Sequence, residues 1–196
     1  ITDRLVALSR ALIGRIRGGL AQVNVLVSMF FAGMNGSVVA DTATVGALVL
    51  PAMKKAGYPA AFSAAVTGVS STIGGIIPPS IMMIVLANST ELSIASLFAA
   101  GIIPGVLIGV VIMIINHYFA IKYNFERSDE KFSIRRAGKE LYRSSFALLI
   151  PVVLVGSVMG GVASVVEAGA ITAMVALFTG VFVYRTIKWK DLSVVR

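Results

Sequence analysis

The sequence predicts an all-α integral membrane protein with a re-entrant helical hairpin and a broken transmembrane helix, and three observations carry that expectation. Of 196 residues, 57% are apolar and only 13% charged, with mean hydropathy +0.92; a soluble domain carries about twice that charged fraction. The charges lie between long runs that hold no Asp, Glu, Lys or Arg: 18–40, 42–53, 56–90, 92–121, 144–166 and 168–184. Two stretches of the chain carry backbone breakers or polar residues in their interior, around 33–41 and 74–80. The net charge of +8 is divided among the ends of these runs and forms no single surface, so nucleic acid is not an expected partner. The absence of Cys excludes disulfide scaffolds, thiolate metal sites and thiol catalysis. The chain opens on Ile1 with no signal-peptide pattern and is read as part of a longer polypeptide.

Taken in order, residues 1–17 read as an amphipathic lead-in helix on the cytoplasmic side, with Arg4, Arg10, Arg15 and Arg17. A crossing of the roughly 30 Å bilayer core needs about 20 helical residues. Residues 18–53 fail that test, because Gly33, Asn35, Gly36, Ser37 and Asp41 leave two arms of about 15 to 17 residues, each about 25 Å long. The expectation is a re-entrant hairpin with its tip at Gly33–Ser37; two tightly turned full spans are the alternative. Residues 56–121 hold two transmembrane segments, 60–87 and 94–119, the first broken at 74–80. Residues 122–143 form a cytoplasmic interfacial linker with seven basic residues, in which 133–144 suits a helix lying in the interface plane. Residues 144–184 supply two more crossings, 144–162 and 164–184, and 185–196 form a cytoplasmic-side tail with Arg185, Lys188 and Lys190. This order puts every basic cluster on one side of the membrane.

The breaks carry the functional signal. In Ser70-Ser71-Thr72-Ile73-Gly74-Gly75-Ile76-Ile77-Pro78-Pro79-Ser80, two prolines lack amide donors and clash with the preceding turn, so carbonyls near Gly74 and Gly75 lose helical partners. Free carbonyls at membrane depth are tolerated where protein or water satisfies them or where they face a cation; a kinked structural helix is the alternative. At the hairpin tip, Asn35 offers a carbonyl oxygen and amide donors and Ser37 a hydroxyl, while Gly33 and Gly36 let the backbone turn. Helix N-termini after Gly36 and Gly75 favour an anion, and the C-terminal ends before them present carbonyls to a cation. Asp41, alone in an uncharged run, is costly unless paired, hydrated or bound; a cation or cap role and a hydrated lumen position both fit it, with Thr42 and Thr44 nearby.

Other residues point to structure. His117 falls near a helix end at the headgroups, Glu167 marks a helix start, and Tyr184 and Trp189 fit interfacial anchors. The eight Met residues and Phe30-Phe31 read as lipid or packing surface. Gly14, Gly18 and Gly19 make no phosphate loop, no zinc spacing occurs, and no Ser-His-acid arrangement is present, so no catalytic residue and no enzyme activity are expected.

The string Phe30-Phe31-Ala32-Gly33-Met34-Asn35-Gly36-Ser37-Val38-Val39-Ala40-Asp41, then Gly46, Leu50-Pro51-Ala52-Met53 and Gly57-Tyr58, resembles the large membrane subunit, the DctM-like permease, of tripartite ATP-independent periplasmic (TRAP) transporters. Ile76-Ile77-Pro78-Pro79-Ser80 and Leu97-Phe98-Ala99-Ala100-Gly101-Ile102-Ile103-Pro104-Gly105 continue the likeness in order over nearly the whole chain. The resemblance implies a sodium-coupled importer of organic acids, with sodium as coupling ion and no other cofactor, in the inner membrane. It implies elevator-type movement of a domain built from two inverted repeats, of which this chain is a part. Its implied partners are a small membrane subunit, a periplasmic substrate-binding protein, an organic-acid substrate, the lipid bilayer and the remainder of its own large subunit. It places Asn35, Gly36, Ser37, Asp41, Ser71, Thr72, Gly74, Gly75, Pro78, Pro79 and Ser80 near substrate and sodium, with Asn35, Ser37, Ser71 and Gly74 as sodium ligands. Two departures stand out: Gly75 replaces a proline common in relatives, and the Gly-x-x-Thr-Pro-Thr-Glu pattern appears only as Gly161-Val162-Ala163-Ser164-Val165-Val166-Glu167. The second hairpin and second broken helix do not follow, so half of the site is expected from this chain and no transport by it alone. A channel or exporter and a non-transporting assembly subunit are the competing classes.

Overall fold

The computed structural model describes residues 2–13, 16–125 and 133–183, and every regular element among them is helical. In chain order these are α1 (Thr2–Ile13), α2 (Gly19–Asn35), α3 (Val38–Lys55), α4 (Ala60–Ser71), a 3-10 turn (Thr72–Gly75), α5 (Ile81–Thr90), α6 (Ile94–Lys122), α7 (Ile134–Met159) and α8 (Val165–Phe178), which runs into a π turn (Thr179–Val183).

Helices α6 and α7, of 29 and 26 residues, are long and apolar enough to cross a membrane. At 1.5 Å per residue they reach about 44 Å and about 39 Å. Helices α2 and α5 are apolar but shorter, as is Val165–Val181. The outward face of α6 carries Ile103, Leu107, Val111 and Ile114, all exposed, as expected of a surface that meets lipid or further protein.

Helix α2 lies at the centre. Ala21, Val23, Val25 and Val27 are buried on opposite sides of it, because α1, α3, α4 and α6 surround it. Leu5 from α1, Val45, Val49 and Met53 from α3, Val66 from α4 and Ile112 from α6 complete this core. A smaller cluster joins Phe98 of α6 to Val158 of α7 and Ala168 of α8. Helix α1 is tied to α7 by the Ser144 hydroxyl, which donates to the Arg4 carbonyl at 3.2 Å.

The structure refines the expected elements in three places. Gly33, Met34 and Asn35 are helical, so the turn expected at 33–37 shrinks to Gly36 and Ser37. Gly33 has no special backbone role; it is buried where a Cβ would come 3.2 Å from Pro151 of α7. The helix expected in the interface plane over 133–144 and the crossing expected from 144 are one continuous helix, α7, because nothing between Ile134 and Ile150 removes an amide donor. Finally, Ser164 and Glu167 form a reciprocal capping box that starts α8, so Glu167 has a helix-start role. Gly14, Arg15, Tyr184, Arg185, Lys188, Trp189, Lys190, the middle of the linker and the tail 185–196 lie outside the described residues.

Candidate substrate and ion site

The turn between α2 and α3 is built by two adjacent residues with opposite backbone needs. Gly36 is left-handed, φ 60° and ψ 17°, and its N–H closes the last turn of α2 on the Ala32 carbonyl. A glycine adopts this conformation without strain. Ser37 is extended and caps α3, its hydroxyl accepting from the Ala40 N–H at 3.4 Å. The Asn35 carbonyl oxygen accepts the Ser37 N–H at 3.2 Å, which fixes the side chain across the turn.

The broken segment repeats the device. α4 ends at Ser71, the 3-10 turn ends at Gly75, and the chain is non-helical from Ile76 until Ser80 caps α5. The Ser80 hydroxyl donates to the Gly75 carbonyl at 2.7 Å and accepts the Met83 N–H at 3.3 Å. Pro78 and Pro79 explain why no helix passes through this stretch.

The two breaks meet. The Ile81 N–H donates to the Gly36 carbonyl at 3.2 Å. A Cβ on Gly36 would overlap the Pro79 carbonyl oxygen, and one on Gly74 would lie 3.6 Å from the Ser37 carbonyl. Asn35, Gly36, Ser37, Gly74, Gly75, Pro78, Pro79 and Ser80 therefore share one neighbourhood. The N-termini of α3 and α5 come together there, as do the C-terminal ends of α2 and the 3-10 turn. Unpaired N–H groups with positive dipole ends suit an anion, and carbonyl ends suit a small hard cation. Helix α6 backs this arrangement with a glycine stripe: Gly101 packs on the Ile76 carbonyl, Gly105 on Ile77 and Gly109 on Met29.

Three predicted residues stand apart from the tip. Thr72 is exposed, and its hydroxyl donates to the Val69 carbonyl at 2.7 Å. Asp41 and Ser71 are fully buried, one turn inside the tip. Neither carboxylate oxygen of Asp41 nor the Ser71 hydroxyl has a hydrogen-bond partner. The hydroxyls of Ser71 and Ser28 lie near the carboxylate. Ser37 is the cap of α3, and Asp41 has no share in it. Its place in the first turn brings a dipole contribution on the order of 1 kcal/mol, whereas a buried unpaired carboxylate costs several kcal/mol. Another charge or a proton is needed to offset the difference.

A family model described as the DctM component of the tripartite ATP-independent periplasmic transporter matches residues 1–195. The chain belongs to the DctM family. Over 191 residues it is 36% identical to the C4-dicarboxylate TRAP transporter large permease protein DctM of Pseudomonas aeruginosa, covering 97% of this chain and 44% of that protein. It is 37% identical over 192 residues to the 2,3-diketo-L-gulonate TRAP transporter large permease protein YiaN of Escherichia coli, covering 98% and 45%. With the sialic acid TRAP transporter large permease protein SiaM of Vibrio cholerae it shares 35% identity over 187 residues, covering 95% and 44%. The chain thus spans less than half the length of these relatives.

Between α2 and α4, this DctM-family chain carries a buried polar strip that sequence reasoning missed. Asn24 donates to the Thr67 hydroxyl at 2.7 Å, Ser70 donates to the Asn24 carbonyl oxygen at 3.3 Å, and the Ser28 and Ser70 hydroxyls lie 3.1 Å apart. The signal was present as polar residues four apart in α2, Asn24 and Ser28, and three apart in α4, Thr67 and Ser70, which meet them. Such a strip locks two helices in register, since leaving any member unpaired is costly.

Proposed function

We propose that the parent protein is the large permease subunit of a sodium-coupled secondary transporter that imports organic acids by elevator-type alternating access. In this reading α2 and α3 are a re-entrant hairpin, α4 and α5 the two halves of a broken transmembrane helix, and the described chain holds one of two inverted repeats and the opening of the next. The observation that carries the proposal is the junction of two helix breaks, held by the Ile81 to Gly36 hydrogen bond. That junction places paired N-terminal and C-terminal helix ends side by side, and a carboxylate and sodium ask for those two kinds of end.

Asn35, Gly36, Ser37 and the main chain around Gly74 and Gly75 supply half of the substrate and sodium site; the rest of the large subunit supplies the other half. Sodium is a hard ion served by neutral oxygens, and the Ser37 hydroxyl with the carbonyls of this junction is such a donor set. Ser80, Pro78 and Pro79 hold the geometry. The substrates in the relatives' names, a C4-dicarboxylate, sialic acid and a diketogulonate, are all organic acids, which supports a carboxylate-binding site. A small membrane subunit and a periplasmic binding protein complete the transporter in a bacterial or archaeal inner membrane. The large subunit binds and moves its cargo and carries no catalytic residue.

The test is uptake into proteoliposomes that hold the full-length parent and its small subunit. We expect organic-acid uptake that needs both a sodium gradient and the binding protein and that falls at least tenfold in Ser37→Ala. Uptake independent of both sodium and the binding protein would overturn the proposal in favour of a channel or exporter.

A further inference from the structure

We propose that the cleft between the start of α2 and the last turns of α6 holds an anionic phospholipid with a hydroxyl-bearing headgroup, of the phosphatidylglycerol class, and that Gln22 accepts the hydroxyl. The inference starts from one amide. Gln22 is 3% exposed, and its Nε2 donates to the Met113 carbonyl at 2.8 Å. A carbonyl only accepts, so this bond fixes which end of the amide is the donor and leaves Oε1 as an unused acceptor. That oxygen is closed off from bulk solvent and has no partner among the described residues, a state that is costly until a donor arrives. Gln22 lines a cleft of about 430 Å³ whose other walls are Ile16, Val110, Met113, Ile114 and His117. A donor therefore reaches the oxygen only from within the cleft.

Depth and charge specify the occupant. Ile114 belongs to the outward, exposed face of α6, so the cleft opens toward the lipid. Helix α6, about 44 Å long and centred on a core of about 30 Å, stands about 7 Å outside the core at each end. His117 is five residues before the helix end at Lys122, about 7.5 Å along the axis, which puts it where lipid tails give way to headgroups. Val110, Met113 and Ile114 lie deeper and offer an apolar wall to an acyl chain. The cations of this end are Arg17, next in sequence to Ile16, and Lys122, and they favour a lipid of net negative charge. A glycerol headgroup adds the hydroxyl donors that Gln22 lacks, whereas a choline headgroup has neither a donor nor a net negative charge.

This site lies outside the junction proposed above and does not depend on it. The test is native mass spectrometry of the full-length parent with its small subunit, titrated with phosphatidylglycerol, phosphatidylmethanol or phosphatidylcholine of the same acyl chains. Phosphatidylmethanol keeps the negative phosphate and lacks the hydroxyls. We expect wild type to bind one phosphatidylglycerol about tenfold more tightly than phosphatidylmethanol, the effect of a buried acceptor gaining its donor, and phosphatidylcholine more weakly still. Gln22→Leu should lower phosphatidylglycerol to the level of phosphatidylmethanol. Ile114→Trp, which fills the cleft, should lose the lipid, while Ile103→Trp, on the same exposed face of α6 and away from the cleft, keeps it. Equal binding of all three lipids to wild type overturns the site and means that another part of the transporter covers the cleft. Equal binding of the two anionic lipids also overturns it, since charge alone then recognises them, as does a preference that survives in Gln22→Leu. If Gln22→Leu does not fold, Ile114→Trp decides: phosphatidylglycerol binding equal to that of Ile103→Trp overturns the proposal.

Discussion

The main-chain N–H of Ile81 donates to the carbonyl of Gly36 at 3.2 Å, joining the first residue of α5 to the turn between α2 and α3. Two breaks 45 residues apart in the sequence are thereby one structural unit, and a change in either alters the other.

Gly36→Ala tests that unit. The residue has φ 60°, and a Cβ there would overlap the Pro79 carbonyl oxygen. Left-handed strain alone costs about 1 kcal/mol and the overlap adds about 1–3 kcal/mol. We expect a lower Tm for the reconstituted parent and loss of uptake; an Ala variant with wild-type Tm would show that the junction is not as tight as described.

Ser80→Ala removes an N-cap and at the same time leaves the Gly75 carbonyl without its donor. Ser37→Ala removes a cap alone. The first loss amounts to about 2 kcal/mol and the second to about 1 kcal/mol. Denaturant midpoints should fall in that order, and equal midpoints would mean that the Gly75 carbonyl is served by another donor.

Gly105→Val tests the backing role of α6. A side chain there runs into Ile77, so the broken segment must shift. Overpacking of this kind costs about 1–3 kcal/mol. We expect reduced sodium affinity at the junction while Gly138→Ala, at an open position on α7, leaves it unchanged. If both variants bind sodium like wild type, α6 does not position the break.

Asn24→Ala tests the polar strip. It removes the bonds to Thr67 and Ser70 and leaves buried hydroxyls short of a partner, a loss of about 2–3 kcal/mol. Thermal stability should fall, and Asn24→Asp should not restore it, because Asp removes the donor to Thr67 and buries a carboxylate with no counter-charge. A neutral Asn24→Ala would remove the strip from the list of features that hold α2 against α4.

Glu167→Gln should change neither uptake nor Tm, because Gln also serves at the third position of a capping box. A loss of uptake at unchanged Tm would give Glu167 a site role that its helix-start geometry does not provide.

Local features were legible in the sequence because their causes are local. Pro78 and Pro79 forbid a helix wherever they stand, Gly36 invites a left-handed turn, and Ser37, Ser80 and Ser164 precede runs that need caps. The long apolar run of α6 likewise states its own length. Where the sequence reading went astray, neighbours made the difference. Gly33 reads as a turn residue, yet it is a helical contact for Pro151, and the basic stretch after Ser133 reads as a separate helix, yet it continues into the apolar one.

By itself the sequence determined that this protein is helical, apolar and broken in two places, and its ordered motifs placed it among the large TRAP permease subunits. Only the tertiary structure decided that Gly36 meets Pro79, that Asp41 lies buried beside Ser71, and that Asn24 bonds Thr67. The physical reason is range. A cap or a proline acts within a few residues along the chain, whereas a shared site depends on how helices separated by many residues dock, and that is set by the summed packing around α2 and no single motif in the sequence.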